Sequence, residues 1–169
     1  DELPALAHRS DLSLLDHAGV HPRLGSLDVV PFVALPPTPP DVAVAAARAF
    51  GHWLATTLGV PVFFYDAADP QARTLPETRA EAFVRRAPDE GPEAAHPRLG
   101  ATAIGARPPL VAVNIELDRD DLPLARSVAR GVRERDGGLA GVRALGFRLA
   151  SAGHAQVSMN LVDLETTGL

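Results

Sequence analysis

Apolar residues along this chain change period several times, and each change marks an element. Leu27–Leu35 is a nearly unbroken apolar run and reads as a strand. Pro31 within it has no amide to give to a ladder, which predicts an edge position or a bulge. A rigid connector, PPTPPD, follows. Val42, Ala46, Ala49, Phe50, Trp53, Leu54 and Leu58 then recur at helical spacing. Thr38 is suited to cap that helix, Pro39 to its first turn, Asp41 to its positive end and Gly59 to its stop. VPVFFY at 60–65 reads as a buried strand, its aromatic run belonging with Trp53 to the core rather than to a stacking platform.

Residues 66–100 are polar and rich in Pro and Arg, with one short helix predicted near Glu77–Arg86. So long a loop is usually functional or a linker between subdomains, and here both readings apply. Periodicity returns at Leu110–Leu117, a strand. Asp118 or Asp120 can cap the helix that follows, whose apolar face is Leu122, Ala125, Val128, Ala129 and Val132. Arg130, Arg133 and Arg135 complement its dipole, and Gly137-Gly138 close it. Ala144–Ala150 and Ala155–Leu164 predict a hairpin across a Ser-Ala-Gly-His turn. In its second strand Val157, Met159 and Leu161 face one way while Gln156, Ser158 and Asn160 face the other. The apolar set packs; the polar set either lines a cleft or is a solvated face. Residues 1–20 show only weak apolar spacing, at Leu12 and Leu15.

The order strand, helix, strand, strand downstream is most of a split βαβ unit, which needs one further helix and strand. The upstream half likewise shows only the later part of such a unit. The expected class is α+β, with two incomplete subdomains, 1–100 and 101–169. Unfinished sheets leave open edges, which favour pairing with a second chain as a homodimer.

Composition narrows the chemistry. At 169 residues and 46% apolar the chain can bury a core, and no apolar stretch approaches a membrane span. There is no cysteine, which excludes disulfides, thiolate nucleophiles and cysteine-ligated zinc. No segment has the form of a signal peptide, so a cytoplasmic protein is the default. The net charge of −5 argues against a nucleic-acid surface. All 16 basic residues are arginine, so anions must be met by guanidinium forks and Schiff-base lysine chemistry is excluded.

One stretch concentrates polar groups on a constrained turn: His21-Pro-Arg-Leu-Gly25, with Asp28 just beyond. Pro22 keeps His21 out of a helix interior, and Gly25 permits close contacts. On these residues alone a histidine on a turn is more often structural than catalytic. Arg23 either forks a carboxylate or pairs with Asp28, and Asp28 either orients an imidazole or holds the loop by hydrogen bonds. His17 and His21 are four apart, but Gly19 and Pro22 break any common helix and no third ligand is evident, so no metal is expected.

His17-Ala-Gly-Val-His21-Pro-Arg-Leu-Gly25-Ser-Leu-Asp28-Val-Val-Pro31-Phe32 resembles the signature of glutamate formiminotransferase, the transferase domain of formimidoyltransferase-cyclodeaminase. The likeness continues through Arg73-Thr-Leu-Pro76, Gly91-Pro92, Gly100-Ala-Thr-Ala-Ile-Gly-Ala-Arg107, Asn114-Ile115 and Ala155-Gln-Val-Ser-Met-Asn-Leu161, in order over nearly the whole chain. The resemblance implies two ferredoxin-like α/β subdomains, sheets with helices on one face, flanking a substrate cleft. It implies transfer of a formimino group from N-formimino-L-glutamate to tetrahydrofolate as co-substrate, with no metal. His21 corresponds to the catalytic acid/base, a role its unperturbed pKa near 6.5 suits. The folate-contacting segment maps onto Gly91, Pro92, Glu93, Ala94, Ala95, His96, Pro97, Arg98, Leu99 and Gly100. Arg23, Asp28 and Asn160 are candidates for substrate contact. The family's further N-terminal strand–helix–strand, with an Asp that assists the histidine, has no counterpart here. His96-Pro97-Arg98-Leu99-Gly100 repeats the pentapeptide of 21–25, read as coincidence, the alternative being an added guanidinium at Arg98. A non-catalytic relative kept as a folate-binding or dimerising module, and a formyl rather than formimino transferase, stay open alternatives.

Overall fold

The computed structural model describes residues 23–149 and 152–168. The chain divides into two compact units, 1–107 and 108–169, each with one three-stranded sheet among the described residues, and the class is α+β. The division falls after Arg107 rather than at residue 100 because 102–106 is a strand of the first unit's sheet.

In the first unit, strands β1 (Val29–Phe32), β2 (Val62–Asp66) and β3 (Thr102–Ala106) lie in the order β1-β3-β2, with both pairings parallel. Pro31 therefore sits on a strand that is an edge among the described residues, where its missing amide costs no ladder bond. Helix α1 (Pro40–Leu58) packs on one face of this sheet against Val62, Phe64, Ile104 and Ala106. It starts at a Pro39 cap with no side-chain cap bond, one residue beyond the Thr38 start, and ends at Gly59 in the left-handed region.

The buried stripe of α1 is Ala43, Ala47, Gly51, Leu54 and Ala55, rotated from the stripe that its larger apolar residues predict. Val42 is 51% exposed. The sheet supplies the bulk here, in Phe64 and Ile104, so the helix meets it with small side chains that allow close approach. Phe50 and Trp53 lie at the flank of the stripe, where they stack with ring centroids 5.5 Å apart, and Phe50 reaches Phe32 of β1 at 5.8 Å.

The other sheet face is not bare. Phe63 points there, fully buried, and packs with Ala82, Ala101 and Leu24 and edge-on with Phe83 at 4.9 Å. Ala82 and Phe83 come from the polar stretch 66–100, which folds back on its own unit. Its helix α2 (Leu75–Glu81) opens with a capping box in which Glu77 accepts the Thr74 amide at 2.8 Å. The helix is shorter than the predicted Glu77–Arg86 because the chain turns at Phe83, which takes a positive φ of 60°.

The turn delivers Arg86, 8% exposed, into a polar knot. It donates to the Phe64 carbonyl at 2.9 Å, the Asp89 carboxylate at 2.5 Å and the Thr78 hydroxyl at 3.2 Å. Asp89 in turn accepts the Phe64 amide at 2.7 Å, and Asp69, 4% exposed, accepts Arg73 at 2.9 Å. Each buried charge has an opposite partner and further hydrogen bonds, which keeps its desolvation tolerable.

The second unit has strands β4 (Val111–Glu116), β5 (Val142–Leu149) and β6 (His154–Leu161) in the order β4-β6-β5, all antiparallel. With helix α3 (Leu122–Val132) between β4 and β5, this is the strand–helix–strand–strand order the sequence anticipates. Asp121, not Asp118 or Asp120, caps α3 by accepting the Leu124 amide at 2.9 Å. Ala125 and Ala129 of α3 pack against Ala144, Ala155 and Val157. Val128, expected on that face, is 39% exposed. Cross-strand register puts Asn114, Leu145 and Ser158, and likewise Ala112, Arg143 and Asn160, on the face opposite α3.

Candidate functional site

His21 and His17 lie outside the described residues. The described part of the HPRLG motif begins at Arg23, whose side chain is exposed, and the local geometry follows from the chain just after it. Leu24–Asp28 forms a turn closed by the Asp28 carboxylate, which accepts the Leu24 amide at 2.6 Å. The other oxygen of Asp28 accepts from the Arg79 guanidinium of α2. The ion pair is half-buried. Asp28 thus holds the loop, one of the two roles its sequence allowed, with Arg79 rather than Arg23 as its cation. Nothing in the sequence ties Arg79 to the motif: the two are 51 residues apart, and α2 carries only its Thr74/Glu77 box as a signal.

The turn lies directly on the 91–100 segment. Gly25 bridges Gly100 in antiparallel fashion. The Ser26 amide donates to the Leu99 carbonyl and the Ala101 amide to the Leu24 carbonyl, both at 2.9 Å. A Cβ on Gly25 would fall 2.2 Å from the Ala101 oxygen and 2.3 Å from the Leu99 oxygen. Only glycine permits this crossing. The two HPRLG pentapeptides therefore meet at their terminal glycines, whatever the origin of the repeat.

Residues 96–100 form a tied turn. His96 and Gly100 exchange backbone hydrogen bonds at 2.9 Å each. The His96 Nδ1 accepts the Arg98 and Leu99 amides at 3.2 and 3.0 Å, which leaves the ring hydrogen on Nε2. Gly91 has a positive φ of 87° and lies close to Ala55 and Val60. Residues 91–95 are exposed, whereas Leu99 and Gly100 are buried. The segment combines an exposed run of backbone and small side chains with an anchored end.

On β2, the ring of Tyr65 lies across Gly105 of β3, where an added Cβ would be 2.4 Å from it. Burial pushes the phenol above its ordinary pKa, opposed by the Arg107 guanidinium, which hydrogen-bonds it, and more weakly by Arg79. Asp66, at the end of β2, holds a positive φ of 49°. The core assignment of Tyr65 stands, but its hydroxyl end belongs to a polar cluster. Among the described residues no group of three or more His, Cys, Asp and Glu side chains is placed to hold a metal ion, and no described helix is long and apolar enough to cross a membrane.

Arg23, Asp28 and the 91–100 segment are thus brought together in the first unit. Asn160 belongs to the second unit, where it is exposed on the face opposite α3. Close by on β6, Gln156 is buried and donates to the Asn114 amide oxygen at 3.0 Å, so of the two polar side chains predicted to share a face with Asn160 one is spent on the sheet itself.

These features define an α+β protein whose first unit joins the Leu24–Asp28 turn to a glycine-bounded loop. Residues 6–107 match the family model of the formiminotransferase domain, N-terminal subdomain, and the chain belongs to that family. Among its relatives, the glutamate formimidoyltransferase of Streptococcus pyogenes serotype M1 is 35% identical over 170 residues, covering 94% of this chain and 57% of the relative. The formimidoyltransferase-cyclodeaminase of Sus scrofa is 42% identical over 184 residues, covering 96% of this chain and 34% of the relative. The glutamate formimidoyltransferase of Thermoplasma acidophilum is 36% identical over 164 residues, covering 89% of this chain and 54% of the relative. The chain spans about half the length of the shorter of these curated relatives and a third of the longer.

Proposed function

We propose that this chain takes part in transfer of the formimino group from N-formimino-L-glutamate to tetrahydrofolate, as in the glutamate formimidoyltransferases it resembles, with His21 moving the proton. In this reaction a bond forms between N5 of tetrahydrofolate and the formimino carbon, and the bond from that carbon to the glutamate nitrogen breaks. The proton lost by N5 passes through the His21 imidazole to the departing nitrogen. The pterin is received along 91–100, where the exposed backbone admits a flat ring, and carboxylates of either substrate are met by arginine forks such as that of Arg23. Asn160 is assigned to the glutamate moiety. One observation supports the reading: the described chain that follows His21 in sequence crosses the 91–100 segment at Gly25 and Gly100, as a site shared by a proton carrier on the motif and a folate on that segment requires.

The test is tetrahydrofolate binding by calorimetry together with formation of 5-formiminotetrahydrofolate by the purified chain. Binding and transfer are expected, and His21→Ala should lower turnover by roughly 10²–10⁴-fold while leaving folate affinity in place. Near-normal turnover in that variant removes His21 from the mechanism. Tight binding with no product would instead leave a folate-binding module that does not transfer.

A further inference from the structure

We propose that Arg79 is a positioning residue for this reaction, holding through Asp28 the Leu24–Asp28 turn that follows His21 in sequence; the inference rests on the function proposed above. Four ties hold the described part of that turn. Three are backbone bonds with Leu99, Ala101 and Ala103. The fourth is the Asp28 carboxylate, which closes the turn on the Leu24 amide at 2.6 Å and whose second oxygen is held by Arg79. Their side chains are 21% and 27% exposed respectively, so the pair is partly desolvated and the carboxylate depends on its cation more than a surface carboxylate would.

Arg79 is itself on a fixed base. Its neighbour Thr78 is fully buried and accepts from Arg86 at 3.2 Å, and Arg86 is anchored to β2 through the Phe64 carbonyl. A path of hydrogen bonds, joined by the peptide link between Thr78 and Arg79, therefore runs from the sheet through Arg86, α2, Arg79 and Asp28 to the Leu24 amide, three residues beyond His21 in sequence. The Arg79 Nη2 is spent on Asp28, and its Nε is buried with no hydrogen-bond partner. A guanidinium held with one donor unmet is there for the partner it does have. Loosening it shifts the turn without deleting any group that touches substrate, and misplacement of a proton carrier by about 1 Å is worth up to roughly 100-fold in rate.

The variants are Arg79→Gln and Arg79→Lys, with Asp28→Asn as the second route if Arg79→Gln does not fold. Each is read by thermal unfolding, by hydrogen exchange of the Leu24 amide, by the His21 Cε1–H resonance, and by kcat and KM. For Arg79→Gln the inference expects kcat lower by about 10- to 100-fold with KM for tetrahydrofolate within about threefold. Leu24 exchange should be faster by about tenfold, and Arg79→Lys should restore part of kcat. A kcat within twofold of the parent in a folded Arg79→Gln protein overturns it, as does a loss of kcat matched by loss of fold in every variant. If the parent binds no folate and transfers nothing, the proposed function fails on its own account. Arg79 is then judged on Leu24 exchange and the His21 resonance: movement of both upholds the positioning role, and constancy of either overturns it.

Discussion

Replacing Gly25 by alanine tests whether the two loops of the candidate site depend on their crossing. Gly25 is not in the left-handed region, so the substitution is not opposed by backbone conformation; it is opposed by contact. The new methyl carbon would stand 2.2 and 2.3 Å from two carbonyl oxygens and 2.9 Å from an amide nitrogen, all of them backbone. Rotation of a side chain cannot relieve that, so the turn must separate from 99–101. Separation breaks the Ser26–Leu99 and Leu24–Ala101 hydrogen bonds, and a buried donor or acceptor left unmet costs about 1–3 kcal/mol. With part of the turn relaxing into water, a loss of about 2–4 kcal/mol results. A unit of roughly a hundred residues loses about 4 °C of Tm per kcal/mol, which gives a fall of roughly 8–16 °C. The fluorescence of the single tryptophan, Trp53 on α1, reports on this unit alone. Gly59→Ala is the control: its φ of 64° makes it a conformational case with nothing within 4 Å, worth about 1–2 kcal/mol. Tetrahydrofolate affinity should fall in Gly25→Ala and not in Gly59→Ala. A Gly25→Ala protein that melts within about 2 °C of the parent and binds folate equally well would refute the reasoning.

Arg86→Leu should cost about 3–5 kcal/mol, because it leaves the Asp89 carboxylate and the Phe64 carbonyl in the knot without their donor; a urea midpoint shift worth under 1 kcal/mol at unchanged m-value would contradict it. Tyr65 is the only tyrosine in the chain, so an alkaline absorbance titration reads it alone, and burial predicts an inflection above the ordinary value of about 10. The sign for stability follows: above pH 10 the unfolded phenol is ionised while the folded one keeps its proton, so this group's contribution is intact below pH 10 and is lost as pH climbs through the folded pKa. Denaturant midpoints that stay level or rise between pH 10 and 11.5 would count against a buried phenol. Asn160→Ala, at an exposed position, should change stability by no more than about 0.5 kcal/mol; a higher KM for formiminoglutamate at unchanged Tm assigns Asn160 to that substrate, and unchanged kinetics leave it a solvated side chain.

What the sequence made legible was the part written in local period and turn chemistry. The apolar run at 60–65, the stop at Gly59 and the hairpin of β5 and β6 depend on neighbours within a few residues, and each appears near its predicted place. The errors come where a partner is distant. Helix α1 was predicted to bury its larger apolar side chains, yet its sheet already fills that space with Phe64 and Ile104, so Ala43, Ala47 and Gly51 face inward. The stretch 66–100 has no period because its order comes from Asp69, Arg73, Arg86 and Asp89 pairing with one another and with the backbone of β2. Charged residues in a Pro-rich run look alike whether they are solvated or locked in such a knot. The boundary between units is hard to read for the same reason: 102–106 joins the first unit through parallel pairing with strands 74 and 40 residues earlier in register, and parallel pairing leaves no local turn to read.

The candidate site shows both kinds of information at once. The motif singles out His21, Arg23 and Asp28 as candidates because their spacing is constrained. It did not name what holds them. Asp28 has two oxygens and the sequence offers many arginines; only the folded chain selects Arg79, on a helix that is itself pinned by Arg86. Gly25 and Gly100 are equally uninformative as letters, yet they determine how closely two loops approach. A proton carrier on a turn is useful only if the turn is stationary to a fraction of an ångström; under the proposed function that requirement falls on two glycines, a carboxylate and a guanidinium drawn from three separated segments. The division of labour predicts a pattern across variants: changes at the motif's own side chains should act on turnover, whereas changes at Gly25, Arg79 and Arg86 should act first on the order of the turn and on turnover only as far as that order is lost.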